Sequence, residues 1–217
     1  VNDGVIIRDN TGSYNSGGIQ LYGETSGYQF DNIVIEGNTF EKFVNADPSQ
    51  ILADSGSRHK SGLMGPISGS IQDGTSASNI TITNNSLSSA TDQLYSSNDV
   101  HALISLAGHI DGLTIANNDM AWDQTDVVSP SDVPATNYGT LSSTVIGGLG
   151  LYGGLSGNVN IDGNTVYTTS AVQNTAVGIY VNGDASATDH GLLDTTLFYV
   201  GADNQMTADS YNTWLTG

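Results

Sequence analysis

Five segments of this chain are copies of one short pattern, and that pattern leaves few folds open. They are DGVIIRDNTG (3–12), DNIVIEGNTF (31–40), SNITITNNSL (78–87), DGLTIANNDM (111–120) and GNVNIDGNTV (157–166). All share Asn or Gly, apolar, x, apolar, x, x, Asn. The apolar pairs are Val5/Ile7, Ile33/Ile35, Ile80/Ile82, Leu113/Ile115 and Val159/Ile161, and the Asn falls at Asn10, Asn38, Asn85, Asn118 and Asn164. A weaker sixth copy carries Phe198, Val200 and Asp203. A second motif precedes most copies: GIQLYG (18–23), ISLAG (104–108), GLGLYG (148–153), GIYVNG (178–183) and a degenerate GPISG (65–69).

Both motifs alternate with a period of two, which is the strand period. Each strand is short and closes on Gly or Asn, residues that tolerate the left-handed backbone of a tight corner. From one Asn to the next the chain runs 28, 47, 33 and 46 residues, then 39 to Asp203. The shortest interval fits one turn of a coil with two or three strands; the longer ones fit a turn plus a loop sent outward. The alternation vanishes in 41–64 and 121–145, which predicts two long loop insertions. The recurring Asn predicts a ladder at one corner of every coil, each amide bonding to the coils above and below.

Composition removes several alternatives. Of 217 residues, 37% are hydrophobic, which supports a buried core and argues against a disordered chain. Acids number 22, against 4 Lys and Arg, so the formal charge is −18. A helical bundle draws on Glu, Lys and Arg, which are scarce here. Nucleic acid and anionic membranes both need a cationic face, so neither is an expected partner. No apolar run reaches the length of about 18 residues that membrane insertion requires.

Taken together, GIxLxG … NIxIxxNxΦ, with Φ apolar, resembles the parallel β-helix repeat of the pectate-lyase-like superfamily, over residues 3–203. That superfamily includes polysaccharide lyases, polygalacturonases, mannuronan C5-epimerases, phage tailspikes and many cell-surface proteins. The resemblance implies an all-β, right-handed parallel β-helix, but one scaffold hosts all these activities and does not select among them. The expected fold is a single solenoid domain over 1–217, with about six coils spaced about 4.8 Å apart. Ile35, Ile82, Ile115 and Ile161 should then stack in one column.

Few residues offer chemistry. Arg58, His59 and Lys60 form a cationic tripeptide inside the first insertion, on a chain with only 4 Lys and Arg. A lyase or epimerase acting on uronic acids must neutralise a carboxylate and remove the C5 proton, roles that Arg, Lys and His fill. These three are the candidate catalytic residues. NADPSQ (45–50) lacks the Asp-Pro-His-Glu pattern that the resemblance would imply for an alginate epimerase. Trp122, Asp123 and Asp126 are the candidate carbohydrate-binding residues, because an aromatic beside acids suits sugar stacking or a calcium loop. His59, His101, His109 and His190 show no zinc spacing, and there is no Cys. The Asp-rich composition makes calcium a more credible cofactor than zinc, but nonapeptide calcium repeats are absent and the same Asp also serve simply to keep a surface hydrated.

Three functions stay open on the sequence. The first is an extracellular or cell-surface module, structural, adhesive or carbohydrate-facing, within a larger protein or a filament. The second is a polysaccharide lyase or C5-epimerase acting on uronic-acid polymers. The third is a tailspike-like receptor-binding module. The expected partners are a polysaccharide, flanking domains or another copy of the chain. Residues 204–217, with Met206, Tyr211, Trp214 and Leu215, read as a C-terminal cap or inter-subunit segment. The first rung has no cap before it, so something outside 1–217 is expected to cover Val5 and Ile7.

Overall fold

The computed structural model describes residues 2–13, 18–23, 27–43, 65–71, 75–89, 100–123, 145–152, 154–169, 175–182, 194–208 and 211–216. Short strands alternate with sharp corners, three sides to a coil. The first coil holds β1 (Asn2–Asp3), β2 (Ile6–Arg8) and β3 (Thr11–Ser13). The second holds β4 (Ile19–Gly23), β5 (Gln29–Glu36) and β6 (Thr39–Phe43). β7 (Ile67–Ile71), β8 (Ser76–Thr83) and β9 (Ser86–Ser89) make the third. β10 (Val100–Gly108), β11 (Ile110–Ala116) and β12 (Asp119–Asp123) make the fourth. β13 (Val145–Tyr152), β14 (Leu155–Asp162) and β15 (Thr165–Thr169) make the fifth. β16 (Thr175–Asn182), β17 (Asp194–Val200) and β18 (Gln205–Ala208) close the sixth, and β19 (Tyr211–Thr216) adds one more strand.

Every pairing among these strands is parallel and joins a strand to its equivalent one coil away. The result is three sheets: a first running from β4 to β19, a second from β1 and β2 to β17, and a third from β3 to β18. This is a right-handed parallel β-helix, the hand that parallel crossovers adopt. In the second sheet Ile7, Ile35, Ile82, Ile115, Ile161 and Val200 form one unbroken inward column. The first sheet contributes Ile19, Ile67, Ile104, Leu149 and Ile179. Phe40, Leu87, Met120, Val166 and Met206 come from the third. Ile35, Ile82, Ile115 and Ile161 are each 0% exposed, and burying a side chain of that size stabilises by about 1.5–3 kcal/mol. Like side chains stacked at one position keep each coil in register, because a slip of one residue turns the apolar set outward.

The corner between the second and third sheets is two residues long in five coils, and its first residue is left-handed: Asp9, Gly37, Asn84, Asn117 and Gly163 have φ between 55° and 65°. Only Gly, Asn and Asp enter that region readily. At Gly163 the need is double, since a Cβ there would also collide with Asn117 Oδ1.

Residues 205–208 and 211–216 supply β18 and β19, in register with β15 and β16, and so continue the coils. The insertions are narrower than the sequence suggests, because β6 runs to Phe43 and β12 to Asp123. Their interiors, 44–64 and 124–144, lie outside the described residues.

Candidate functional site

Among the described residues the Asn corner is the most extensive hydrogen-bonded structure. Asn38, Asn85, Asn118 and Asn164 are at most 1% exposed. Each donates from Nδ2 to Oδ1 of the Asn one coil further along, at 2.9 Å in all four steps. Its backbone N–H donates to the same oxygen at 3.0 Å. The second Nδ2 hydrogen is shared between a carbonyl of the preceding coil, such as Ile82 O for Asn118 at 3.0 Å, and the carbonyl two residues back. Amide and corner backbone are thus satisfied together, as burial demands. The sixth rung is Asn204, not Asp203. The turn Gly201–Asn204 is longer than the other corners, so the amide reaches back three residues, to Gly201 O at 2.8 Å, rather than two. These Asn are architectural: their donors and acceptors face one another and leave nothing for a ligand.

The sequence-predicted site residues do not come together. Arg58, His59 and Lys60 belong to the connection between β6 and β7, and Asp126 to that between β12 and β13, both outside the described residues. Asp123 ends β12, paired with Thr169. Trp122 is 3% exposed and sits in the core cluster. Its indole alternates inward with Met120, between the small Ser89 and Thr168 of the adjacent coils, so it offers no face to a sugar, and stacking by this ring is withdrawn. His109 lies in the corner between β10 and β11, where its backbone bridges Ile71 O and Ala77 N–H. Among the described residues no three His, Cys, Asp or Glu gather as a metal site.

The outer faces differ. The first sheet is buried on its outside at Ser68, Ser105, Ala107 and Tyr180. The third sheet is open and polar. At one end Thr11, Gly12, Ser13, Thr39 and Glu41 line a concavity of about 470 Å³. Further along, Tyr167 is 41% exposed, flanked in register by the small Ala121 and Thr207. Its ring therefore stands clear of its neighbours on a β-surface that also carries Ser86, Asp119 and Thr165 in one column. Tyr199 is similarly exposed on the second sheet. The sequence reading passed over Tyr167, although its position three residues after a ladder Asn marks it as outward.

No family model matches this chain. No curated protein and no solved structure matches it significantly. The parallel β-helix therefore stands on the strand order and register alone.

A second polar column runs along the start of the second-sheet strands, where Asp3, Asp31, Ser78, Asp111 and Ser156 succeed one another in register. From Asp31 onward carboxylates alternate with hydroxyls. Ser78 Oγ donates to Asp31 Oδ1 at 2.6 Å and Ser156 Oγ to Asp111 Oδ1 at 3.3 Å. The left-handed Asn32 and Asn79 add their amides, to Asp3 at 3.0 Å and Asp31 at 3.2 Å. The Ser78 hydrogen bond, helped by Asn79 and by the Asn32 backbone, holds the Asp31 carboxyl below its ordinary value against partial desolvation. From Asp31 to Ser156 the interleaved hydroxyls keep carboxylates from meeting at coil spacing, and where Asp3 and Asp31 are direct neighbours the Asn32 and Asn79 amides supply the donors.

Proposed function

We propose that this chain is a non-catalytic β-helix module of an extracellular or cell-surface protein, presenting the outer face of its third sheet to carbohydrate. The observation that carries the reading is Tyr167, an exposed aromatic ring beside the small Ala121 on a β-face that also carries Ser86, Asp119, Thr165 and Thr207. Such a face suits a linear glycan: the ring stacks on a sugar plane while Thr, Ser and Asp bond its hydroxyls. The concavity around Thr39 and Glu41 lies on the same sheet three coils away, about 14 Å along the axis. The ladder supports the reading by keeping such a face straight and rigid. A formal charge of −18 favours neutral over polyanionic glycans. The repeat motif supports kinship with the pectate-lyase-like superfamily, as a member that uses the scaffold for display. The test is a glycan array probed with the protein and with Tyr167→Ala. Binding that disappears in the variant, with unchanged circular dichroism, supports the proposal; no binding, or binding indifferent to Tyr167, overturns it.

A second reading rests on Arg58, His59 and Lys60, which gather two of the chain's 4 Lys and Arg, and a His, in one tripeptide. Under it the chain is a uronic-acid lyase or C5-epimerase. Unsaturated products released from polyuronates, and lost in His59→Ala, would establish it and displace the first reading.

A further inference from the structure

We infer that the glycan taken by the third sheet is a linear polymer of amino sugars, laid along the coil axis rather than along the strands. The inference rests on the carbohydrate-binding role proposed for that face, and it names the ligand and its direction.

The direction follows from the proportions of the face. β9, β12 and β15 are each four or five residues long. Around the buried Leu87, Met120 and Val166, two residues of each strand point outward: Ser86 and Ser88, Asp119 and Ala121, Thr165 and Tyr167. Each outward pair spans about 7 Å, two residues at about 3.3 Å. Along the axis the same residues form two columns that continue from coil to coil. One holds Ser86, Asp119 and Thr165; the other holds Ser88, Ala121, Tyr167 and Thr207. A glycan parallel to the strands leaves the sheet at a corner almost at once. A glycan crossing the strands meets a fresh pair of side chains at every coil, about each 4.8 Å.

The relief of the face fits such a track. Tyr167 is its tall element, and Ala121 and Ser88 follow it in the same column as a low floor. Ser86, Asp119 and Thr165, all exposed, form a polar rim beside that floor. One sugar stacks on the Tyr167 ring. The next units lie over Ala121 and Ser88, with their substituents toward the rim.

The rim selects among sugars by charge. Asp119 lies between the hydroxyls of Ser86 and Thr165 in its column. It has no ion-pair partner among the described residues, where the ion pairs join Arg8 to Asp9 and Glu36 on the second-sheet side. The described side chains of this face include a second exposed carboxylate, Glu41 on β6, and no cation. Asp119 stands one coil along and two residues across from Tyr167, about 8 Å away. Its carboxylate therefore meets a substituent of the sugar next to the stacked one. A hydroxyl there makes an ordinary hydrogen bond, whereas a protonated amine makes a charge-assisted one. A carboxylated sugar meets repulsion at the same point. The formal charge of −18 draws a polycationic chain toward the protein from further off. The ligand that uses ring, floor and rim together is a polymer whose sugars carry free amines.

The experiment is calorimetric titration of the 217-residue chain with a linear glucosamine hexasaccharide, the matching disaccharide, and N-acetylglucosamine and glucose hexasaccharides, at a pH where the amines are protonated. The glucosamine hexasaccharide should bind about tenfold or more tightly than either neutral hexasaccharide, the worth of one charge-assisted hydrogen bond. It should exceed its own disaccharide by a similar factor. Asp119→Asn, at an exposed position, should erase the preference for the amine with an unchanged circular dichroism spectrum. Asp111→Asn removes the same charge from the exposed face of the second sheet and should leave the preference in place. Equal binding of amine-bearing and neutral hexasaccharides, lost in Tyr167→Ala, overturns the amino-sugar inference and leaves carbohydrate display by this face standing. A preference that falls equally in Asp111→Asn overturns it too, because the attraction is then diffuse. A disaccharide as good as the hexasaccharide overturns the axial track. No binding of the glucosamine hexasaccharide overturns the inference whatever else binds. Binding of it that is indifferent to Tyr167→Ala overturns the role of the face itself.

Discussion

Replacing Asn118 by Ala tests the ladder at its centre. The wild-type side chain accepts the Asn85 N–H at 3.0 Å and Asn85 Nδ2 at 2.9 Å. It donates to Asn164 Oδ1 at 2.9 Å and to Ile82 O at 3.0 Å. After truncation Asn85 Nδ2 keeps Ile35 O and Thr83 O, and Asn164 Oδ1 keeps the Asn118 N–H. The buried Asn85 N–H loses its acceptor. One orphaned buried donor costs about 1–3 kcal/mol and the weakened partners about 1 more, so a loss of about 2–4 kcal/mol is expected. Asn10→Ala is the control. It removes donors to the part-buried Asn38 Oδ1 and the exposed Arg8 O, while Asn38 Oδ1 keeps the Asn10 N–H. No buried group is orphaned there, and about 0.5–1 kcal/mol is expected. Urea titration of both variants, compared at equal m-value, measures the difference. If Asn118→Ala costs no more than Asn10→Ala, the ladder is not what holds the corners and the reasoning fails.

Other outcomes follow from the same geometry. Ile82→Ala, at a 0% exposed column position, should cost about 2–5 kcal/mol, whereas Ile6→Ser, at 59% exposure, should stay within about 0.5 kcal/mol in the same titration. Gly163→Ala places a Cβ at φ +65° and against Asn117 Oδ1, so its melting temperature should fall while that of Asn84→Gly does not. Asp31 has a depressed folded-state pKa, so its contribution is present above the unfolded value and lost as pH falls through the folded one. Ser78→Ala should move its titration back toward the ordinary carboxylate range, read by NMR of the carboxyl carbon. With −18 formal charge, melting temperature should rise with NaCl, and a further rise with calcium that EDTA reverses would reveal a cation site.

The second-sheet strands and the ladder were legible because each coil spells them with two apolar residues and an Asn at fixed spacing. The third-sheet strands were not, since β6 and β9 show a single reliable inward apolar residue, Phe40 or Leu87, and one residue has no period. The last rung was misplaced by one residue because its turn is longer, and no alternation exists within Gly201–Asn204 to reveal that. Trp122 misled for a related reason: beside Asp123 it reads as surface, and only the inward position of Met120 two residues earlier places it in the core. Tyr167 was open to the same inward-outward counting, but a role for it depends on the small Ala121 and Thr207 beside it, which are distant in sequence.

The three corners of the coil are unequal, and this gives the rod one fixed edge and two variable ones. Between the second and third sheets five coils turn in two residues, locked by Asn. Between the third and first sheets the chain from β6 to β7 spans 44–66, and from β12 to β13 it spans 124–144. The corner between the first and second sheets also varies, from His109 alone between β10 and β11 to residues 183–193 between β16 and β17, so changes in length are absorbed away from the Asn corner and the ladder never registers them. Peptides grafted between Phe43 and Ile67, or between Asp123 and Val145, would be anchored two coils apart, about 10 Å along the same flank. The molecule is in effect a ruled spine, on which foreign segments can be mounted at measured intervals without disturbing what holds it straight.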